Sequence, residues 1–351
     1  MASSATTGNC SATTATTYLL LDLNGNLHVG DQPTPNAIEA LSRLSGLAQS
    51  TLSSGRQLRI SFCSNSSKES TQTLVSRLRR MGFTDEEAMP EGSVFTSLDA
   101  ARRLLVSGQK KRRTLLLLNE DAMQSFQDED AEGRQSRYFK PPQSTLPADL
   151  NESQQSALQS CDSVLIGLAP DLMRYEWLTE AFRVLTGEYA SKDHHQEERP
   201  DPLLVATHSG RCLRPGDGGP LALGPGPFVQ ALAHAADLGE DKVICVGKPE
   251  RAFFAQCLEG MGWKRREGSE DQAWIVGDDA RQDLSLPQLK NGEEDPLQGL
   301  KVRRGLVKTG KYREGDEEKV EGGGSGDVGV WDSFAHWVDD FVREWKSCDN
   351  Q

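Results

Sequence analysis

The sequence has no CxxC pair, no apolar run approaching membrane-spanning length, and too few basic residues to balance its acidic ones. Each absence closes off a class of protein. The seven cysteines are odd in number and widely scattered, which fits neither a disulfide framework nor a thiolate metal site. Cys63 and Cys245 lie inside apolar runs and read as small buried residues of a reducing compartment. With 39 basic against 52 acidic residues the net charge is −13, which argues against nucleic acid or an anionic membrane as the main partner. Without a stretch of about 20 apolar residues, no transmembrane helix is expected. Residues 1–17 are uncharged and rich in Ser, Thr and Ala. They lack both the apolar core of a signal peptide and the arginines of a presequence, so a disordered tail and a cytoplasmic location are expected.

At 351 residues the chain exceeds one ordinary domain, so two domains, or one with a large insertion, are expected. Tyr18-Leu19-Leu20-Leu21 is suited to a buried strand and runs directly into Asp22, a polar loop and Gly25. In open α/β sheets, chemistry sits where the carboxyl ends of parallel strands meet their loops. Asp22 falls at such an end, although a helix N-cap or a turn would also place an acid there.

Pro35 opens a helical pattern with Ile38, Leu41, Leu44 and Leu47 on one face. A second strand, Leu58 to Cys63, ends in Ser64-Asn65-Ser66-Ser67 before a helix carrying Leu74, Val75, Leu78 and Met81. Hydroxyls and backbone N–H groups in that loop suit an anion, and they equally suit an N-cap. Ser93 to Ser97 reads as a short strand feeding the helix around Ala100 to Val106.

From about 112 to 240 the character changes. Short apolar runs at Leu115–Leu118, Val164–Leu168 and Leu203–Ala206 read as buried strands separated by two polar stretches, 127–154 and 187–202. Both stretches are expected to be disordered surface insertions. His194 and His195 lie in the second and read as solvated. The pattern predicts a disordered tail over 1–17, a core over 18–111, an inserted smaller α/β domain over 112–240, and a resumed core over 241–351. The core closes on a helical stripe of Trp331, Phe334, Val338, Phe341, Val342 and Trp345, which reads as packing.

Two further strand ends carry chemistry. Lys248 follows Val243–Val246 and precedes a Pro-initiated helix, where an ammonium can neutralise a phosphate or clamp a carboxylate. Ala273–Gly277 delivers Asp278, Asp279 and Asp283 close together. Like charges crowd so only when a cation or base sits among them, and hard oxygen ligands beside a phosphate suit Mg²⁺.

The order Asp22, Ser64, Lys248, Asp278 resembles the four motifs of the haloacid dehalogenase (HAD) superfamily, over roughly Tyr18 to Asp316. Gly247-Lys248-Pro249-Glu250, Gly277-Asp278-Asp279 and Lys308-Thr309-Gly310-Lys311-Tyr312-Arg313 look like its subfamily IIA. The resemblance implies a Rossmann-like core with a parallel sheet and a C2-type cap inserted between the second and third motifs. It also implies a phosphatase acting on a small phosphorylated molecule, and dimerisation through the cap as in some capped relatives. Asp22 would be the nucleophile, and Mg²⁺ would bind Asp22, the Asn24 carbonyl and Asp278. Ser64, Asn65 and Lys248 would hold the phosphoryl group, and Asp279 and Asp283 would orient the metal's surroundings. The sequence departs from the family pattern at Asn24, where a second Asp is usual, and at Asn26. An amide cannot act as general acid or base, help that is worth ~10²–10⁴-fold. A phosphatase weakened in this way and a catalytically weak Mg²⁺- or partner-binding module are therefore the two functional expectations.

Overall fold

The structure is a computed structural model. It describes residues 15–50, 55–107, 112–127, 136–189, 200–213, 220–266, 268–289, 292–321 and 328–349. In chain order the first unit has β1 (Thr16–Asp22), α1 (Ala37–Gln49), β2 (Gln57–Ser64), α2 (Thr71–Arg80), β3 (Val94–Thr96) and α3 (Ser97–Ser107). Then come β4 (Thr114–Leu117), β5 (Tyr138–Phe139), α4 (Glu152–Gln159), β6 (Ser163–Ile166), α5 (Tyr175–Thr186), β7 (Leu203–Ala206), α6 (Gly226–Ala235) and β8 (Val243–Cys245). The chain closes with α7 (Arg251–Gly260), β9 (Gln272–Gly277), β10 (Lys301–Val307), β11 (Val328–Trp331) and α8 (Phe334–Asp349).

Two parallel sheets result. The larger runs in the order β11-β10-β9-β1-β2-β3. Its middle strand β1 is buried at every position, as a strand covered on both faces must be. The order leads one way from β1 through β2 to β3, and β9 then returns to the opposite side of β1. The reversal of direction between β1 and β9 leaves a crevice at their carboxyl ends, where α/β sheets bind ligands. Leu21 pairs with Val276 on one side, and Asp22 pairs with Cys63 on the other. The strand ends bearing Asp22, Ser64 and Asp278 are therefore neighbours.

Alternation along β1 divides the core. Leu19 and Leu21 pack with Leu41 and Leu44 of α1, Leu74 and Leu78 of α2, and the aromatic stripe of α8. Leu20 faces the other way, with Phe253 and Phe254 of α7 and Leu98 and Leu105 of α3, in a cluster that continues into the second sheet. On α8, Trp337 lies 5.2 Å from Phe341 in a stack and 5.8 Å from Trp274 edge-on. The terminal stripe is thus packing, as its spacing indicates.

The second sheet runs β8-β7-β6-β4-β5. Two expectations change here. The resumed core was placed from 241, but Val243–Cys245 pairs with Leu204–Ala206 and so belongs to the second sheet. An apolar run signals a buried strand without signalling which sheet it joins. The stretch 127–154 was expected to be a disordered insertion, yet Tyr138–Phe139 forms an edge strand beside Thr114 and Leu115. Both aromatics are buried, and Asn151 and Gln154 form a capping box at the start of α4. A two-residue edge strand is too short to show a period. Residues 128–135 and 190–199, with His194 and His195, lie outside the described residues, as do residues 1–14. Among the described residues no helix is long and apolar enough to cross a membrane.

Trp337 is 1 % exposed, so Trp337→Ala removes a buried aromatic from the α8–β9 contact. It should destabilise the chain by about 3–5 kcal/mol. Urea unfolding followed by circular dichroism measures this; a loss under about 1 kcal/mol would show that α8 does not anchor the sheet.

Candidate active site

No helix follows Asp22. The chain instead makes a tight loop into a two-residue ribbon, His28–Val29 against Gln32–Pro33. The Asn26 side chain ties that loop by donating to the Asp22 carbonyl at 3.0 Å. The Asp22 carboxylate is left free of any capping role and accepts a hydrogen bond from Lys248 Nζ. Ser64 and Asn65 are not the N-cap of α2 either. Ser70 holds that position, accepting from Thr73 N–H, while Asp121 of the second sheet's loop takes the Ser70 N–H at 2.7 Å.

Lys248 is almost fully buried. Its ammonium donates to Asp22, to the Cys63 carbonyl at 3.1 Å, and pairs with Asp283 Oδ1 at 2.7 Å. Those acceptors use all the protons an ammonium has. Asp283 also accepts the Asp279 N–H, at 3.0 Å. Asp279 points elsewhere: it caps the turn after β9 through the N–H groups of Arg281 and Gln282, and it lies 3.3 Å from Lys311 Nζ. Asp278 accepts from the Lys311 N–H through Oδ2, while its Oδ1 is buried with no hydrogen-bond partner.

Oxygen atoms of Asp22, Asp278 and Asp283 all lie within 4.8 Å of one another. Gly25, at φ +100°, permits this approach, since a Cβ there would fall 2.2 Å from the Asp278 carboxylate. The segment after β10 closes the site, with the Thr309 hydroxyl donating to the Gly25 carbonyl. Burial, then the repulsion of Asp283, pushes Asp22 up to about 7 against the pull of Lys248. Burial, then Asp283 and Asp22, raises Asp278 well above the carboxylate range. Burial alone would lower Lys248, but Asp22 and Asp283 together outweigh it and hold the ammonium charged. The cluster has a deficit of positive charge and an orphaned carboxylate oxygen. Its all-oxygen donor set fits a hard divalent cation such as Mg²⁺.

Of the predicted residues, Asp22, Lys248, Asp278 and Asp283 converge, while Ser64 ends the adjoining strand with its hydroxyl accepting the Ser66 N–H at 3.1 Å. Two are placed differently from expectation. Asn65, expected to bind phosphate, spends its amide on the Lys248 backbone, accepting from N–H at 2.8 Å and donating to the carbonyl at 2.9 Å. Asp283, expected behind the metal ligands, is itself in the carboxylate cluster, because the turn after β9 folds it back over Gly277. Asp279 takes the outer position, bonded to backbone N–H groups rather than to the cluster. The Asn24 side chain is exposed and makes no hydrogen bond among the described residues. Two further side chains escaped sequence reasoning. Lys311 comes from the loop after β10, and burial is outweighed there by Asp283, Asp279 and Asp278, which raise its pKa. His208 arrives from the end of β7; burial and then Lys311 and Lys248 push its ring down to about 4. The same strand-end rule that selected Asp22 also marks His208.

The family model for haloacid dehalogenase-like hydrolases matches residues 19–132. The chain is 35 % identical over 325 residues to haloacid dehalogenase-like hydrolase domain-containing protein 2 of Homo sapiens, covering 93 % of this chain and 95 % of that one. The chain belongs to the HAD-like hydrolases. It is also 27 % identical over 328 residues to the phospholysine phosphohistidine inorganic pyrophosphate phosphatase of Xenopus laevis, covering 92 % and 93 % of the two chains. Among solved structures, a 4-nitrophenylphosphatase from Thermotoga maritima aligns with TM-score 0.61 at 19 % identity over 92 % of this chain and 96 % of its own. A Pyrococcus horikoshii protein of undefined function aligns at TM-score 0.65 and 18 % identity, over 92 % and 99 %. At those identities the likeness is one of fold, and it fits a HAD core carrying a cap built on the second sheet.

If the orphaned Asp278 oxygen serves a cation, Mg²⁺ at about 100 times its Kd should stabilise the folded chain by about 2.7 kcal/mol. Asp278→Ala should remove that thermal shift while the metal-free protein still melts cooperatively. An equal shift in both proteins would place the cation elsewhere.

Proposed function

We propose that this HAD-like hydrolase is a Mg²⁺-dependent phosphatase that transfers the phosphoryl group of a small substrate to Asp22 and then to water. The observation carrying this reading is the Asp22 carboxylate itself. It is buried at the crevice between β1 and β9, bonded to a buried ammonium and flanked by the unpartnered oxygen of Asp278. Asp22, Asp278 and the Asn24 main-chain carbonyl would hold the cation. Bound there, Mg²⁺ supplies charge neutralisation between the nucleophile and the incoming phosphate.

The chain's own residues account for the rest. Asp22 attacks phosphorus; an Asp22 Oδ–P bond forms while the bond to the leaving atom breaks, and that atom departs with its electron pair. Lys248 stabilises charge on the phosphoryl oxygens. Asp283 and the Cys63 carbonyl hold the ammonium in place while the proton it gives Asp22 turns to the phosphoryl oxygens. Asn65 fixes the Lys248 backbone, and Ser64 presents its hydroxyl from the adjoining strand end. Water then attacks the aspartyl-phosphate and releases inorganic phosphate.

Asn24 sets the substrate class. With no carboxylate to protonate a leaving alkoxide, the site favours leaving groups that depart without a proton, those of aryl and acyl phosphates. The exposed amide also favours the second reading, a module that binds Mg²⁺ and phosphate ligands with little turnover.

Rapid quench and intact-mass measurement with acetyl phosphate and Mg²⁺ distinguish the two. Wild type should accumulate a phosphorylated species that Asp22→Asn lacks. Asn24→Asp should speed turnover of alkyl monoesters by roughly ten- to a thousand-fold, with a much smaller gain on aryl phosphates. If no adduct forms and Asn24→Asp is inert on every substrate, the binding module is the correct reading.

A further inference from the structure

Position 24 supplies no group to the leaving atom, which turns attention to the cap side of the crevice. The β7–β8 ladder continues past the named strands: Val246 N–H donates to the Ala206 carbonyl at 3.0 Å, following the pairing of Ala206 with Cys245. The next residue, Thr207, lays its carbonyl against Gly247, where a Cβ would meet it at 2.2 Å and the Asn65 side-chain oxygen at 2.4 Å. His208 therefore leaves the cap sheet beside the residue that precedes Lys248.

The ring is half-buried and oriented. Gly210 N–H donates to His208 Nδ1 at 3.1 Å. A neutral imidazole that accepts at Nδ1 carries its proton on Nε2. Burial and the charges of Lys311 and Lys248 keep the ring neutral. Nε2 has no partner among the described residues. A Cβ at Gly210 would lie 2.7 Å from His208 Nδ1 and 3.8 Å from the Gln282 side-chain oxygen, so cap and core side chains meet at this point. Gln282 in turn lies 3.5 Å from the Asn65 amide that holds Lys248.

We propose that His208 of the cap is the hydrogen-bond donor to the leaving atom, taking the place of the carboxylate that position 24 lacks. This rests on Asp22 being the nucleophile. As the Asp22 Oδ–P bond forms and the bond from phosphorus to the leaving oxygen breaks, negative charge collects on that oxygen. His208 Nε2–H donates to it; the proton stays on the ring, and the departing oxygen takes its own proton from water. A neutral donor stabilises this charge without requiring an acid, which suits leaving groups of moderate basicity.

The test is a series of substituted phenyl phosphates, assayed with Mg²⁺ for wild type, His208→Ala and His208→Gln. In wild type, kcat/KM should fall gently as the phenol becomes more basic. In His208→Ala the dependence should steepen, with a loss of about ten- to a hundred-fold for the most basic phenols and about two-fold or less for nitrophenol. His208→Gln keeps an N–H donor and should restore part of the loss. A uniform drop across the series would mean that the ring only supports the cap, and unchanged rates would mean that it takes no part; either overturns the proposal. Phosphorylation of Asp22 by acetyl phosphate in His208→Ala separates the two levels of the argument. If it persists while the leaving-group dependence is unaltered, only the role of His208 is wrong. If it is absent in wild type as well, the nucleophile reading fails and His208 with it.

Discussion

Lys248 is the contact on which the site depends. One buried ammonium joins the end of β1 through Asp22, the end of β2 through the Cys63 carbonyl, and the turn after β9 through Asp283. Those segments are far apart in sequence, and the lysine itself follows a strand of the cap sheet. The ion cluster therefore fixes the cap strand end to the core as well as ordering Asp22. Removing one charge from such a cluster leaves the others buried and unpaired, which typically costs about 3–5 kcal/mol. The same crowding suits the cluster to a cation.

The backbone supports that arrangement at each point. Asn65 clamps Lys248 through both its N–H and its carbonyl. Asp121, from the cap, accepts the N–H of Ser70, the N-cap of the core helix that follows the Ser64 loop. Ser67 of that loop accepts the Leu168 N–H from another cap strand end at 3.0 Å. Cap strand ends and core strand ends thus converge on one crevice, with the carboxylates on the core side and His208 on the cap side.

Much of this was readable in the sequence because strand ends are local features. Asp22, Ser64, Lys248 and Asp278 each follow an apolar run directly, and a motif order specific to one superfamily ties them together. Which sheet a strand joins is not local, so Val243–Cys245 was assigned to the core although Leu204–Ala206 is its partner. Tyr138–Phe139 was missed because a two-residue edge strand in a polar stretch has no measurable period. Asn65 illustrates a different limit. Its amide suits a phosphate as well as a backbone, and only the folded position of Lys248 decides between them. Lys311 sits in a loop whose relation to the site depends on tertiary packing, and His208, though it follows an apolar run, lies at the end of a strand in the other sheet.

On the proposed mechanism, Asp22 receives a phosphoryl group beside a cation held by Asp278. A crystal structure grown with Mg²⁺ and beryllium fluoride, a mimic of an aspartyl-phosphate, tests it most directly. Beryllium should be bonded to Asp22 Oδ with its fluorides contacted by Lys248 and Ser64, and Mg²⁺ should sit on Asp22 and the Asp278 oxygen that lacks a hydrogen bond. A fluoride group bound away from Asp22, or a cation that bypasses Asp278, would contradict it.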